Sequence, residues 1–143
     1  MARAVLALGA NMGDPERTIK AAILQIAALP ETSLLARSTL IVTPAWGKTD
    51  QPDFVNGAVL LETGLAPIVL LDAILGIEIA LGRVRREKWG PRAIDIDLIA
   101  YDRVEMETQR LTLPHPYANV RDFVLGPVRE IAPDVAAWLA DRI

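Results

Sequence analysis

The chain has 143 residues, 52% of them hydrophobic, with a formal net charge of −3 and a mean hydropathy of +0.29. That composition suits one folded domain spanning 1–143 and excludes a disordered chain. Zero cysteines exclude disulfide scaffolds, thiolate metal sites and thiol nucleophiles, and the single histidine, His115, excludes a His-rich metal centre. A sequence pI near 5.1 is a poor match for a nucleic-acid binder. No apolar run reaches the roughly 18 residues that a membrane helix needs. The apolar start at residues 3–8 is not a secretory signal, because Gly9, Asn11 and Asp14 break it and no small-residue cleavage site follows. The expected compartment is therefore the cytoplasm.

Residues 3–8 predict a buried strand ending at Gly9. Asp14-Pro15-Glu16 then announces a helix, with Asp as N-cap, Pro at the first helical position and an acid in the first turn. Ile19, Ala22, Ile23, Ile26 and Leu29 follow at helical spacing as far as Pro30. A strand is expected over 33–42, a Pro-bounded loop over 44–53, and another strand over 55–63. Pro67 opens a second helix with Leu70, Leu71, Ile74, Ile77 and Leu81 inward and Gly82 as its stop. A charged loop, 83–92, leads to an alternating strand over 94–101. A turn, a short strand, a Pro-rich stretch at 113–116 and two short helices at 123–131 and 133–139 complete the chain. The order predicts an α+β fold: a ferredoxin-like β-α-β-β-α-β core, its antiparallel-rich sheet carrying helices, with a short C-terminal helical addition.

Chemistry concentrates at Ile94-Asp95-Ile96-Asp97-Leu98. On a strand the apolar residues share one face and the two carboxylates the other, about 7 Å apart at Cα from two strand rises. An isolated Asp-x-Asp is ordinarily a solvated strand face. Here the preceding loop carries Arg83, Arg85, Arg86, Lys88 and Arg92 against one acid, Glu87. Acids that hold Mg²⁺ beside arginines that hold phosphate oxygens are a specific combination, because the metal bridges the two. Trp89 either faces a nucleotide or anchors the loop by packing. Gly47-Lys48-Thr49 is not a phosphate-binding P-loop, since the required upstream glycine falls at Val42. Phe54 and Asn56 share a face, where they either stack and hydrogen-bond a flat heterocycle or serve the core and the backbone. His115 sits between prolines, with Arg110 and Arg121 flanking, as a structural residue or a phosphate contact.

These pieces together resemble the 6-hydroxymethyl-7,8-dihydropterin pyrophosphokinase family of folate biosynthesis. The likeness is carried by Leu8-Gly9-Ala10-Asn11, Thr43-Pro44, the run from Asp50 to Asn56, Glu78 with Gly82-Arg83-Val84-Arg85, Trp89-Gly90-Pro91-Arg92 with Asp95-Ile96-Asp97, and Pro114-His115 with Arg121. They run in family order over nearly the whole chain. The resemblance implies transfer of diphosphate from ATP to the pterin hydroxymethyl group with release of AMP, Asp95 and Asp97 ligating two Mg²⁺ ions. It implies that Arg83 and Arg92 act with that pair in catalysis, and that Glu78, Arg85, Lys88, Trp89, Leu98, Arg110, Thr112, His115 and Arg121 join the ATP site. Thr43, Pro44, Trp46, Phe54, Asn56, Asp95 and Phe123 would bind the pterin, Phe54 and Phe123 sandwiching the ring. The sequence departs from the family pattern at Ala10, Leu75, Lys88 and Pro116, and its basic loop is one residue shorter than in some relatives. The resemblance favours a monomer whose partners are ATP and the pterin, with no nucleic acid and no membrane. The alternative class is a ferredoxin-like ligand- or nucleic-acid-binding module without catalysis.

Overall fold

The structure is a computed structural model that describes residues 1–44, 52–82, 93–116, 118 and 121–142. Its elements, in chain order, are β1 (Ala2–Ala10), α1 (Pro15–Ala27), β2 (Thr32–Arg37), β3 (Ile41–Thr43), β4 (Phe54–Thr63), α2 (Pro67–Ala80), β5 (Asp95–Tyr101), β6 (Met106–Glu107), β7 (Thr112–Leu113), α3 (Asp122–Ile131) and α4 (Pro133–Ala140). The main sheet runs β2-β4-β1-β5, with β3 also paired to β4, and every pairing is antiparallel. β1 and β2, the strands joined through α1, flank β4 instead of pairing with each other, which is the split β-α-β arrangement of a ferredoxin-like core.

Strand alternation sorts the sheet into two cores. Ala4, Leu6, Leu8 and Ala10 of β1, Val59 and Leu61 of β4, and Ile94, Ile96 and Leu98 beside them meet Ile19, Ile23 and Ile26 of α1 and Leu70, Ile74 and Ile77 of α2. Val5, Ala58, Leu60 and Ile99 face the other way and meet Val124, Leu125 and Val128 of α3 and Val135, Ala136 and Leu139 of α4. Central β1 is thus apolar on both sides, as a strand covered on both faces must be. A register shift between Val5 and Leu6 in the β1–β5 ladder lets Ile99 and Ala100 both join the second core.

The helix signals act as their chemistry requires. The Asp14 carboxylate accepts from Arg17 N at 3.2 Å, and proline occupies the first turn of α1, α2 and α4. Gly82, past the end of α2, takes a φ of +93°, a conformation that favours glycine. The strand expected over 33–42 is two strands. Ser38 keeps one backbone bond to β4, its N–H donating to Ala58 O at 2.9 Å, while its buried hydroxyl accepts from Ala58 N at 2.8 Å and donates to Thr39 O at 2.9 Å. Thr39 turns instead to α3, where its N–H and hydroxyl both donate to Glu130. No helix among the described residues is long and apolar enough to cross a membrane.

Candidate active site

α3 and α4 cover one end of their sheet face, and the other end supports the candidate site. Its floor follows from the register. Asn56 of β4 lies opposite Gly9 of β1, which lies opposite Asp95 of β5; in the next row Ala58, Ala7 and Asp97 align. Alternate residues share a face, so the two carboxylates stand side by side next to small residues of β1. Asp95 is partly buried and Asp97 exposed. A Cβ on Gly9 would lie 2.8 Å from Asn56 Oδ1, so only glycine leaves the Asn56 amide this close to the strand. Asn56 is itself 7% exposed, and its Nδ2 donates to Thr43 Oγ1 at 2.7 Å. Thr43 ends β3 directly opposite Phe54. The polar and aromatic groups expected to bind a pterin thus sit on adjoining strands, with Pro44 exposed just beyond β3.

Phe123 enters from the other layer. It is half-buried at the start of α3 and packs against the second core, and the Arg121 guanidinium lies 5.7 Å from its ring centroid. His115 closes the group. Its backbone N–H donates to Ile99 O at 2.8 Å, holding the segment after β7 against the outer edge of β5. Burial holds the His115 imidazole below its ordinary pKa, the Asp97 carboxylate pulls it back up, and the Arg121 guanidinium pushes it down again. Asp97, His115 and Arg121 therefore share one electrostatic neighbourhood.

Other expected residues are placed differently. Leu98 is 3% exposed in the first core, opposite Leu6. Its side chain therefore lies on the sheet face away from Asp95 and Asp97, because strand alternation groups it with Ile94 and Ile96. Glu78 is 3% exposed on α2, where its Oε2 accepts from Ile96 N at 2.9 Å. Arg110 is exposed and pairs with Asp72 of α2. Thr112 lies in β7, half-buried. Trp46, Arg83, Arg85, Lys88, Trp89 and Arg92 lie outside the described residues. Asn11, which the sequence places just after β1, is 1% exposed, and its Nδ2 donates to Pro52 O at 3.2 Å, tying the end of β1 to the entry of β4. Its partner lies 41 residues away and is invisible in sequence.

Mg²⁺ typically takes one or two carboxylates and fills its remaining positions with substrate phosphates and water. Among the described residues no group of three or more His, Asp or Glu could hold a metal. A closed all-protein metal cage is thus not formed by these residues; a metal held by Asp95 and Asp97 would need further ligands from elsewhere.

Comparison with known proteins decides the family. Residues 5–133 match the family described as 7,8-dihydro-6-hydroxymethylpterin-pyrophosphokinase, or HPPK. The chain belongs to this family. Its HPPK relatives include the 2-amino-4-hydroxy-6-hydroxymethyldihydropteridine pyrophosphokinase of Methylorubrum extorquens, 49% identical over 94% of this chain and 85% of the relative. The protein of the same name from Pseudomonas aeruginosa is 44% identical over 93% of this chain and 82% of its own length. As an HPPK family member the chain is an enzyme, a diphosphotransferase. Among solved structures, wild-type Plasmodium falciparum HPPK-DHPS superposes with a TM-score of 0.69 at 17% identity, covering 94% of this chain. The chain spans about 40% of that longer protein, and the likeness carries the HPPK fold.

Proposed function

We propose that the chain transfers the diphosphate of ATP to the hydroxymethyl group of 6-hydroxymethyl-7,8-dihydropterin and releases AMP, a step of folate biosynthesis. The observation that carries this reading is the adjacent Asp95 and Asp97 pair, on the same sheet face as Asn56 and Phe54, in a chain of the HPPK family. The pterin hydroxyl oxygen forms a bond to the β-phosphorus, the bond from that phosphorus to the α,β-bridging oxygen breaks, and the hydroxyl proton leaves to solvent. Asp95 and Asp97 would hold two Mg²⁺ ions together with the triphosphate; when bound, the ions neutralise phosphate charge and align the hydroxyl with the β-phosphorus.

The protein's own part is positioning. Asn56 and Thr43 read the polar edge of the pterin, Phe54 and Phe123 hold its ring by stacking, and Asp95 lies where the hydroxymethyl group enters. His115 and Arg121 meet the nucleotide from the β7–α3 connection, and Arg110 reaches it by leaving Asp72. Arg83 and Arg92 clamp the phosphates, with Arg85, Lys88 and Trp89 around the nucleotide and Trp46 beside the pterin. We read 1–143 as a single pyrophosphokinase domain acting as a cytoplasmic monomer. A nucleic-acid module fits poorly, because Asp95 and Asp97 would repel a phosphodiester backbone.

Product analysis tests the reading. With ATP, Mg²⁺ and 6-hydroxymethyl-7,8-dihydropterin, AMP and a pterin diphosphate should appear in equal amounts when the nucleotides are resolved by chromatography. ADP in place of AMP would mean transfer of a single phosphoryl group. No nucleotide turnover by folded protein would leave a binding role.

A further inference from the structure

α2 turns an apolar side to the sheet through Leu70, Ile74 and Ile77, and one carboxylate is buried beside them, that of Glu78. A carboxylate that is 3% exposed is costly to bury unless its oxygens are engaged. Glu78 Oε2 accepts from Ile96 N at 2.9 Å. Ile96 stands between Asp95 and Asp97, and β5 is the edge strand of the main sheet. Its N–H is thus satisfied by a helix side chain and not by a neighbouring strand. Further along the same edge His115 N covers Ile99 O. The edge of β5 is therefore pinned at two points, one of them between the two carboxylates.

We propose that Glu78 is a positioning residue: through the Ile96 amide it fixes the backbone that sets the separation and aim of Asp95 and Asp97, and hence the affinity for divalent cations. This rests on the reading of that pair as metal ligands. Mg²⁺ demands near-ideal octahedral geometry, so a small shift of the carboxylates weakens the site. Partners that orient metal ligands from behind contribute in this way, and their loss costs about 10–100-fold in metal affinity. Glu78 on this account acts from beneath the strand and not as a nucleotide contact.

The test uses Mn²⁺ as a paramagnetic probe, titrated into the protein with a non-hydrolysable ATP analogue, together with amide hydrogen exchange at Ile96. Glu78→Met, similar in volume but without an acceptor, should weaken Mn²⁺ binding about tenfold and speed Ile96 exchange. Glu78→Gln retains an acceptor and should stay close to wild type in both. The proposal is overturned if Glu78→Met exchanges faster at Ile96 but binds Mn²⁺ like wild type, or if Glu78→Gln is as weak as Glu78→Met. Should Glu78→Met fail to fold, slow Ile96 exchange in wild type together with retained Mn²⁺ affinity in Glu78→Gln supports the proposal, and the loss of either overturns it. Asp97→Ala serves as control: unchanged Mn²⁺ affinity there would refute the metal reading itself. A wild-type protein that binds Mn²⁺ in a Glu78-dependent way but forms no AMP would refute the reaction and leave the positioning role standing.

Discussion

Asp95 and Asp97 lie two residues apart in β5 but meet different surroundings, one partly buried opposite Gly9 and the other exposed beside His115 and Arg121. On the proposed reading the two carboxylates hold a multivalent cation jointly, so neither stands in for the other. Asp95→Ala and Asp97→Ala should each lower diphosphate transfer about 10³-fold, equivalent to ~4 kcal/mol of transition-state stabilisation, with unchanged circular dichroism. Near-normal turnover by either variant at ordinary Mg²⁺ would end the shared-metal assignment. His115 supplies a second prediction at this scale. Burial lowers its folded-state pKa, so an unfolded chain, whose histidine titrates near 6.5, takes up the proton first as pH falls. The His115 contribution to stability is therefore complete above about pH 6.5 and is lost as pH falls through the depressed folded-state pKa. Without metal or nucleotide, the thermal midpoint of wild type should fall more steeply from pH 7 to pH 5 than that of His115→Gln. Parallel curves would show that the imidazole is not held neutral.

The alternation in β5 was legible from sequence, because period-2 burial needs no knowledge of partners: Ile94, Ile96 and Leu98 share one face by spacing alone, whereas their meeting with Leu6 and Leu8 of β1 depends on the register. The same rule separates Leu98 from Asp97, so its side chain stands on the opposite sheet face from the carboxylate pair. The break between β2 and β3 was not legible. It depends on Ser38 bonding to Ala58, and on Thr39 bonding to Glu130, which is 91 residues away. The bond from Ile96 N–H to Glu78 was not legible for a related reason, since it joins a helix to a strand edge 18 residues away. At Ser38 the buried hydroxyl replaces a missing ladder partner, so Ser38→Ala strands the Ala58 N–H. That should cost about 1–3 kcal/mol, read as a lower midpoint in urea. A variant as stable as wild type would mean that the Ala58 amide finds another acceptor.

Across the whole molecule the sheet is asymmetric in a way that assigns work to each side. One face is covered by α1 and α2 and carries the larger core; on the other, among the described residues, α3 and α4 pack at one end. The other end of that face receives residues from β1, β3, β4, β5 and the β7–α3 connection, elements drawn from both halves of the chain. A ligand held there ties together parts whose own contacts are with different cores, so binding should stabilise the molecule as a unit. At a hundredfold excess over its dissociation constant, a ligand adds ~2.7 kcal/mol, which for a chain of this size raises the melting temperature by about 8 °C. An ATP analogue with Mg²⁺ should produce a shift of that order in wild type. The shift should shrink to a small fraction with EDTA or in Asp97→Ala, because the metal proposed to join triphosphate to β5 would then be missing. An equal shift with and without Mg²⁺ would place the nucleotide on the protein without the carboxylate pair, and would move the site away from the end of β5.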